Sequence, residues 1–254
     1  MFWCIKPQFR YKGVKMSLLK PIDNGNMYKD YWRWNIIAGC LHGCTYCSIK
    51  RIENRVNSDM STPAFREGYL KDNLGSGKKI FVGSSSDSWG EWVPSNWIYA
   101  MLTKCNLHPD NEYLFLTKNP HRYIPFLEGS DLFPPNFMLG TTIETDRTDV
   151  LNPYTNIAIT PPPAIRAMDM ESIRRRFPDV KTMLSLEPLM DFDLDTFVYM
   201  VASINPTKVW IGSDSGKNNL PEPEPEKVRT FITQLSHFTE VVEKKNLSRL
   251  LGEA

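Results

Sequence analysis

The stretch Gly39-Cys40-Leu41-His42-Gly43-Cys44-Thr45-Tyr46-Cys47 is the most informative part of this chain. Its three cysteines are spaced C-x3-C-x2-C and follow an apolar run over residues 34–38, which predicts a short buried strand. Three thiolates on one loop can bind three irons of a [4Fe–4S] cluster and leave the fourth iron with an open coordination position, as at a catalytic metal site. Gly39 and Gly43 permit the tight turns that bring the backbone close to inorganic sulfur. The stretch therefore predicts a cluster that takes part in chemistry.

Two other interpretations of the same loop remain open. Cys40, His42, Cys44 and Cys47 match the ligand types of a structural zinc site, which would make the chain a zinc-stapled nucleic-acid-binding protein. The position of His42 inside the short loop makes ligation by all four side chains awkward. The cysteines can also be incidental to a metal-free barrel enzyme. A disulfide framework is disfavoured, because five cysteines in 254 residues without a signal peptide are typical of a reducing compartment.

Composition predicts a soluble, cytoplasmic protein. With 254 residues, 41% of them hydrophobic, the chain can bury a full core. We expect one domain over 1–254, with an N-terminal arm over 1–30 and a C-terminal helical segment over 226–254. No apolar run is long enough to cross a bilayer, so no membrane partner is expected. The net charge of +1 gives no overall attraction to nucleic acid, although the segment before Trp34 is basic.

Six apolar segments alternate with segments of helical character, which predicts an α/β fold with a parallel sheet. The predicted strands cover residues 34–38, 79–83, 112–116, 137–143, 181–186 and 208–211. The predicted helices are one or two over 48–74, then 96–106, 123–127, 161–176 and 195–204, and a helix or helix pair over 226–251; the segment 156–160 fits either a strand or a turn of helix. Polar residues follow directly after the strands, where the ligands of α/β barrels bind.

The cysteine motif, with the aromatic Tyr46 before its last cysteine, resembles the signature of the radical SAM superfamily. Four further segments extend the resemblance in the same order: Phe81-Val82-Gly83-Ser84-Ser85-Ser86-Asp87, Leu116-Thr117-Lys118-Asn119-Pro120, Thr141-Thr142-Ile143-Glu144 and Ser185-Leu186-Glu187-Pro188. The set is similar to a small branch found in phages and prokaryotes, distantly similar to spore photoproduct lyase. The resemblance covers roughly residues 30–215.

The resemblance implies an incomplete (β/α)6 barrel of the TIM type that binds a [4Fe–4S] cluster and S-adenosylmethionine (SAM). It implies reductive cleavage of SAM to a 5′-deoxyadenosyl radical, which abstracts hydrogen from a substrate. The electron would come from an external one-electron reductant of the flavodoxin or ferredoxin type. Likeness to the lyase favours a nucleic acid base or nucleotide as substrate, with a small metabolite or a peptide as the alternative.

Candidate site residues follow from the resemblance and from the strand ends. The metal ligands are Cys40, Cys44 and Cys47; the catalytic candidates are Glu187 and Lys118; the cofactor-binding candidates are Tyr46, Ser84, Ser85, Ser86, Asp87, Thr142, Glu144 and Ser213. Family comparison places the residue at Tyr46 near the adenine of SAM and the segment 84–87 near its amino group. Many members carry Gly-Gly-Glu there, so this chain departs from the pattern, and the segment also fits a simple helix cap. Glu144 and Glu187 fit either hydroxyl contacts or ordinary strand-end ion pairs.

The aromatic run before the cysteine loop also has two interpretations. Tyr31, Trp32 and Trp34 can act on a ligand, by covering the cluster or stacking on a base, or they can fill the core. The basic arm, with Lys12 and Lys15, can contact phosphates or remain solvated.

Overall fold

The computed structural model describes residues 19–22, 30–56, 59–129 and 131–253. The strands are β1 (Lys20–Pro21), β2 (Tyr31–Trp34), β3 (Ile37–Ala38), β4 (Ala64–Phe65), β5 (Lys79–Val82), β6 (Glu112–Thr117), β7 (Phe137–Thr142), β8 (Lys181–Leu186), β9 (Lys208–Ile211) and β10 (Glu240–Glu243). The helices are α1 (Ser48–Val56), α2 (Ser95–Asn106), α3 (Ile124–Glu128), α4 (Thr148–Leu151), α5 (Pro163–Arg176), α6 (Leu194–Ile204), α7 (Pro225–Leu235) and α8 (Leu247–Leu250), with 3-10 turns at Glu67–Lys71, Pro120–Tyr123 and Asn152–Tyr154.

The central sheet is mostly parallel, as the alternation of strands and helices predicted. Its order is β1-β2-β5-β6-β7-β8-β9-β10, so the strands of this sheet lie side by side in the order in which they occur along the chain. A parallel sheet with this sequential order is typical of α/β barrels. Strand β1 pairs antiparallel with β2 at one edge, and every other pair is parallel. The carboxyl ends of the parallel strands therefore share one edge of the sheet.

The predicted first strand, 34–38, is divided in the structure. Trp34 ends β2, and the chain then leaves the main sheet so that β3 pairs antiparallel with β4. Polar Asn35 marks the break, because its side-chain oxygen accepts a hydrogen bond from Ser84 at 3.2 Å. The predicted helices over 48–74 are likewise shorter, since only α1 and one 3-10 turn form there. This departure from the sheet carries the cysteine loop.

The predicted C-terminal helix pair is interrupted by a strand. Strand β10 lies between α7 and α8 and pairs in parallel with β9 along its whole length. The adjacent Val241 and Val242 have the branched side chains that favour strands over helices. The segment 156–160, which fitted either a strand or a helix, forms neither.

The aromatic run packs mainly into the core. Trp34 is fully buried, and its indole N–H donates to Asp72 at 3.1 Å, so it cannot stack on a ligand. Tyr31 lies edge-on to Trp210, with 6.2 Å between ring centroids. The basic arm around Lys12 and Lys15 lies outside the described residues. Every helix in the described ranges is too short or too polar to cross a bilayer.

Candidate active site

The cysteine loop connects β3 to α1 at the carboxyl side of the sheet. Cys44 is buried, whereas Cys40 and Cys47 are half-buried, and all three are free thiols. Gly39 enters the loop with φ = +84°, and an added Cβ would lie 2.3 Å from the backbone oxygen of Thr62. A side chain at this position would therefore push the loop away from its neighbour, which explains the glycine.

Hydrogen bonds from a neighbouring segment hold the loop in place. The backbone N–H of Thr45 donates to the carbonyl of Tyr154 at 2.9 Å, and that of Asn156 donates to the carbonyl of His42 at 2.7 Å. The ammonium of Lys50 donates to the carbonyl of Gly43 at 2.9 Å. The segment 154–160, uninformative in the sequence, thus supports the loop from outside.

Burial and two nearby charged residues shape the environment of Cys40 and Cys44. Burial raises the pKa values of Cys40 and Cys44; the nearby Asp87 charge raises that of Cys40 further, and Lys118 opposes the rise at Cys44. The backbone N–H of His42 acts to lower the pKa of Cys40. Within the described ranges, no group of three or more His, Cys, Asp or Glu side chains converges on one ion. By ligand type, three cysteine sulfurs on one loop suit the irons of an iron–sulfur cluster.

His42 is committed to the protein rather than to a metal. Its Nε2 lies 2.8 Å from Asp87 and its Nδ1 lies 2.9 Å from Thr160, and only 1% of the residue is exposed. The ring also packs edge-on against Trp92. The zinc interpretation needs a free nitrogen on His42, and the structure offers none.

Asp87 ties the cysteine loop to the ends of β5 and β6. Besides His42, it accepts hydrogen bonds from the hydroxyl of Thr117 at 2.7 Å and from the backbone N–H groups of Lys118 and Trp89 at 2.9 and 3.0 Å. Burial acts to raise the pKa of Asp87, but His42 and these donors outweigh it and lower the pKa. Any contact between Asp87 and SAM, which stays a prediction, would have to share these bonds.

The three serines after β5 differ in their hydrogen bonding. Ser84 donates to the side-chain oxygen of Asn35, and the hydroxyl of Ser86 donates to the carbonyl of Ile37 at 2.7 Å. The hydroxyl of Ser85 has no partner among the residues the structure describes. All three are half-buried. Ser85 is therefore the serine with a hydroxyl available to a ligand.

A buried charge network centres on Glu144, at the end of β7. Its Oε1 accepts from Lys118 Nζ at 2.6 Å and from the hydroxyl of Tyr46 at 2.8 Å, and its Oε2 accepts from Arg166 Nη1 at 2.9 Å. Burial acts to raise the pKa of Glu144, but the Arg166 and Lys118 charges outweigh it and hold the pKa well below its usual range. Two cations thus surround one carboxylate, which leaves one net positive charge.

Arg166 was missed in the sequence. It lies on α5 and is fully buried, and its Nη1 also donates to the carbonyl of Thr142. Its Nη2 is buried without a partner among the described residues. A sequence pattern could have identified it, because Arg166 falls on the buried face of α5 together with the apolar residues Pro163, Ala167 and Met170. An arginine on such a face must be paired, and the spare Nη2 suits an anionic acceptor.

The remaining candidates lie at the ends of β8 and β9. Glu187 forms an ion pair with Lys244, which is 5% exposed and directly follows β10. The hydroxyl of Ser213 donates to the carbonyl of Asn246 at 2.6 Å. Lys244 and Asn246 escaped prediction because β10 was taken for helix. The predicted residues therefore fall into two groups: one around Cys44, Tyr46, Asp87, Lys118, Thr142 and Glu144, and another around Glu187 and Ser213.

The fold is that of radical SAM enzyme structures. Spore photoproduct lyase complexed with dinucleoside spore photoproduct shares 11% identity over 91% of this chain and 81% of that chain, with a TM-score of 0.61. A double mutant of the same lyase with bound S-adenosylmethionine and the same dinucleoside gives 11% identity over 90% and 80%, with a TM-score of 0.59. A radical SAM methyltransferase from Sphaerobacter thermophilus gives 10% over 86% and 67%, with a TM-score of 0.52.

By sequence, the chain belongs to the family described as a protein of unknown function (DUF5131), whose model matches residues 28–230. No curated protein matches the chain. The assignment to a phage-associated branch stays a prediction.

Proposed function

We propose that this chain is a radical SAM enzyme that binds a [4Fe–4S] cluster through Cys40, Cys44 and Cys47 and binds SAM beside it. The observation that carries the proposal is the C-x3-C-x2-C loop at the carboxyl side of a sheet with the fold of radical SAM enzymes. When bound, the cluster and SAM supply one-electron cleavage of the sulfonium and hydrogen abstraction from a substrate.

The residues of the protein bind and orient the ligand and exclude water from the site. Burial acts to lower the pKa of Lys118, but the Glu144 carboxylate outweighs it and raises the pKa, so Lys118 remains protonated. Together with the spare Nη2 of Arg166, it presents donors to an anionic group such as the carboxylate of SAM. Glu144 holds both cations in position and also fixes the hydroxyl of Tyr46. The bonds from Lys118, Tyr46 and Arg166 to Glu144 are already formed, so these side chains are pre-organised.

The cysteine loop is held rigidly by the bonds described above. His42, Asp87 and Thr117 form one hydrogen-bonded chain from the loop to the end of β6. A rigid loop fixes the distance between the metal ligands and the residues that would hold SAM. The proposed partner for the electron is a flavodoxin or ferredoxin. The structurally similar spore photoproduct lyase is complexed with a dinucleoside, which supports a nucleic acid base or nucleotide as the substrate of this chain.

Anaerobic reconstitution tests the proposal. The wild-type chain should bind about four irons with matching sulfide and cleave SAM when reduced by dithionite. Changing Cys40, Cys44 or Cys47 to Ala should remove most of the iron and abolish cleavage, because three ligands leave none to spare. Cys105→Ala is the matched control, since Cys105 is fully buried on α2 in the core. A colourless protein with one zinc per chain would overturn the proposal.

A further inference from the structure

Strands β8, β9 and β10 end in register at the carboxyl edge of the sheet. Glu243 pairs with Ile211, and Ile211 pairs with Leu186. The next residue of each strand is therefore level with the others, which brings Glu187, Gly212 and Lys244 side by side.

Gly212 allows the two charged side chains to meet. An added Cβ on Gly212 would lie 2.5 Å from Lys244 Cδ and 3.2 Å from Glu187 Cδ, so the lysine stem crosses the glycine to reach the carboxylate. The ammonium pairs with Glu187 Oε2. Glu187 Oε1 has no hydrogen-bond partner within the described ranges. The pair is neutral in sum and retains a spare acceptor.

Asn246 adds a second spare acceptor at the same place. Its Nδ2 donates to the carbonyl of Ser213 and to the hydroxyl of Ser215, both at 2.8 Å, which fixes the orientation of the amide. Its Oδ1 then lies 3.1 Å from the position of the added Cβ on Gly212 and is buried without a partner among the described residues. A buried acceptor without a donor is unfavourable and points to a missing hydrogen-bond donor.

A purely structural role does not account for this arrangement. Strand β10 is already attached to β9 by four residue pairs, from Glu240–Lys208 to Glu243–Ile211. An exposed ion pair between Lys208 and Glu240, at 2.9 Å, joins the same strands at their other end. Neither the ion pair with Glu187 nor the open acceptor of Asn246 is needed to hold β10.

We infer that Glu187, Lys244 and Asn246 form the subsite that recognises the hydrogen-bonding edge of a substrate nucleobase, an inference that rests on the proposed function. A nucleobase edge presents donors and acceptors side by side. Asparagine and glutamate accept from exocyclic amino groups, and lysine donates to ring carbonyl oxygens. Bases that are unstacked are read along such edges. A phosphate is a poor fit, because the Glu187 carboxylate would repel it.

Equilibrium dialysis of nucleosides against the anaerobically reconstituted protein tests the inference. Cytidine, guanosine and thymidine are the probes, each in the presence of saturating SAM; adenosine is omitted because it can enter the adenosyl site. The wild-type protein should bind at least one of the three. Failure to bind any of them, by a protein that holds iron and cleaves SAM, overturns the subsite alone. A wild-type protein without iron or SAM cleavage instead overturns the proposed function, and the subsite with it.

Two substitutions separate recognition from folding. The double variant Glu187→Gln with Lys244→Met keeps both side-chain shapes and should weaken nucleoside binding roughly tenfold to a hundredfold. Glu187→Gln alone should change the order of preference among the three probes, because glutamine brings a donor where glutamate only accepts. Lys245→Met is the control, since Lys245 is the exposed neighbour, and should bind as the wild type does. Unchanged affinity in the double variant overturns the inference.

Cross-linking keeps the test independent of the variants. Irradiation of the wild-type protein with 4-thiothymidine, followed by peptide mapping, should attach the probe within residues 187–190 or 244–250. Attachment only to other parts of the chain overturns the inference.

Discussion

The two polar groups at the carboxyl edge of the sheet differ in which hydrogen-bonding atoms remain without a partner among the described residues. Around Glu144, the carboxylate oxygens are fully engaged, and the spare groups are donors, above all Nη2 of Arg166. Around Gly212, the spare groups are acceptors, on Glu187 and Asn246. Glu144 with Lys118 and Arg166 carries one net positive charge, whereas Glu187 with Lys244 is neutral in sum. Under the proposed function, the first group would bind an anionic ligand group and the second a neutral, donor-bearing one.

The largest effect is expected from loss of the central carboxylate. Glu144→Gln leaves Lys118 and Arg166 as buried cations without a counter-charge, so it should lower the free energy of unfolding by about 3–5 kcal/mol. Urea denaturation measures the change. The control is Glu240→Gln, which breaks the exposed pair with Lys208 and should cost less than about 1 kcal/mol. Equal effects of the two substitutions would show that the Glu144 network does not stabilise the fold.

Two glycines distinguish a rigid region from an adaptable one. At Gly39, an added Cβ meets the backbone of Thr62, which cannot move aside, whereas at Gly212 it meets the flexible stem of Lys244. Gly39→Ala should therefore cost more than Gly212→Ala, by about 2 kcal/mol in thermal or urea unfolding. Gly77→Ala controls for backbone strain, because its φ is also positive, +67°, with open space around it. If Gly212→Ala proved the more damaging, the cysteine loop would be the adaptable region.

The low pKa of Glu144 predicts a pH dependence of the stability. A carboxyl whose pKa is lowered on folding stabilises the protein above its unfolded pKa, about 4.3, and loses that contribution as pH falls toward the folded value. The stability difference between wild type and Glu144→Gln should thus shrink by about 1.4 kcal/mol per pH unit below roughly pH 4. Unfolding at several pH values measures it, and Glu240→Gln should run parallel to the wild type. A difference that is constant with pH would contradict the prediction.

The sequence predicted the first polar group more completely than the second, for a physical reason. Cys44, Lys118 and Glu144 each follow a strand with a strong apolar signal, and the structure places them together. Lys244 follows β10, whose four residues begin and end with glutamate, so its strand signal is weak. Its strand nature comes from pairing with β9, a long-range contact that local pattern does not contain.

Arg166 also shows that local sequence patterns do not contain long-range contacts. Helix α5 was predicted over 161–176 from its three leading prolines, and it forms over Pro163–Arg176. Its buried arginine becomes meaningful only once Glu144, which is 22 residues away in the chain, lies beside it. Charge pairing of this kind is set by the packing of a helix on the sheet.

The smallest effect on stability is expected at two adjacent serines. One has a hydroxyl that forms a hydrogen bond within the protein, and the other has a hydroxyl without a partner among the described residues. The hydroxyl of Ser86 donates to the carbonyl of Ile37, so Ser86→Ala should lower the free energy of unfolding by about 1 kcal/mol. Ser85→Ala removes a hydroxyl without a partner in the described part of the chain, so stability should stay within about 0.5 kcal/mol. If segment 84–87 binds the methionyl end of SAM, Ser85→Ala should instead weaken SAM binding by roughly fivefold, the value of one hydrogen bond. Calorimetry of SAM binding to the reconstituted variants, beside urea unfolding, separates the two quantities. Unchanged SAM affinity in both variants would show that the methionyl end of SAM does not use these two serines.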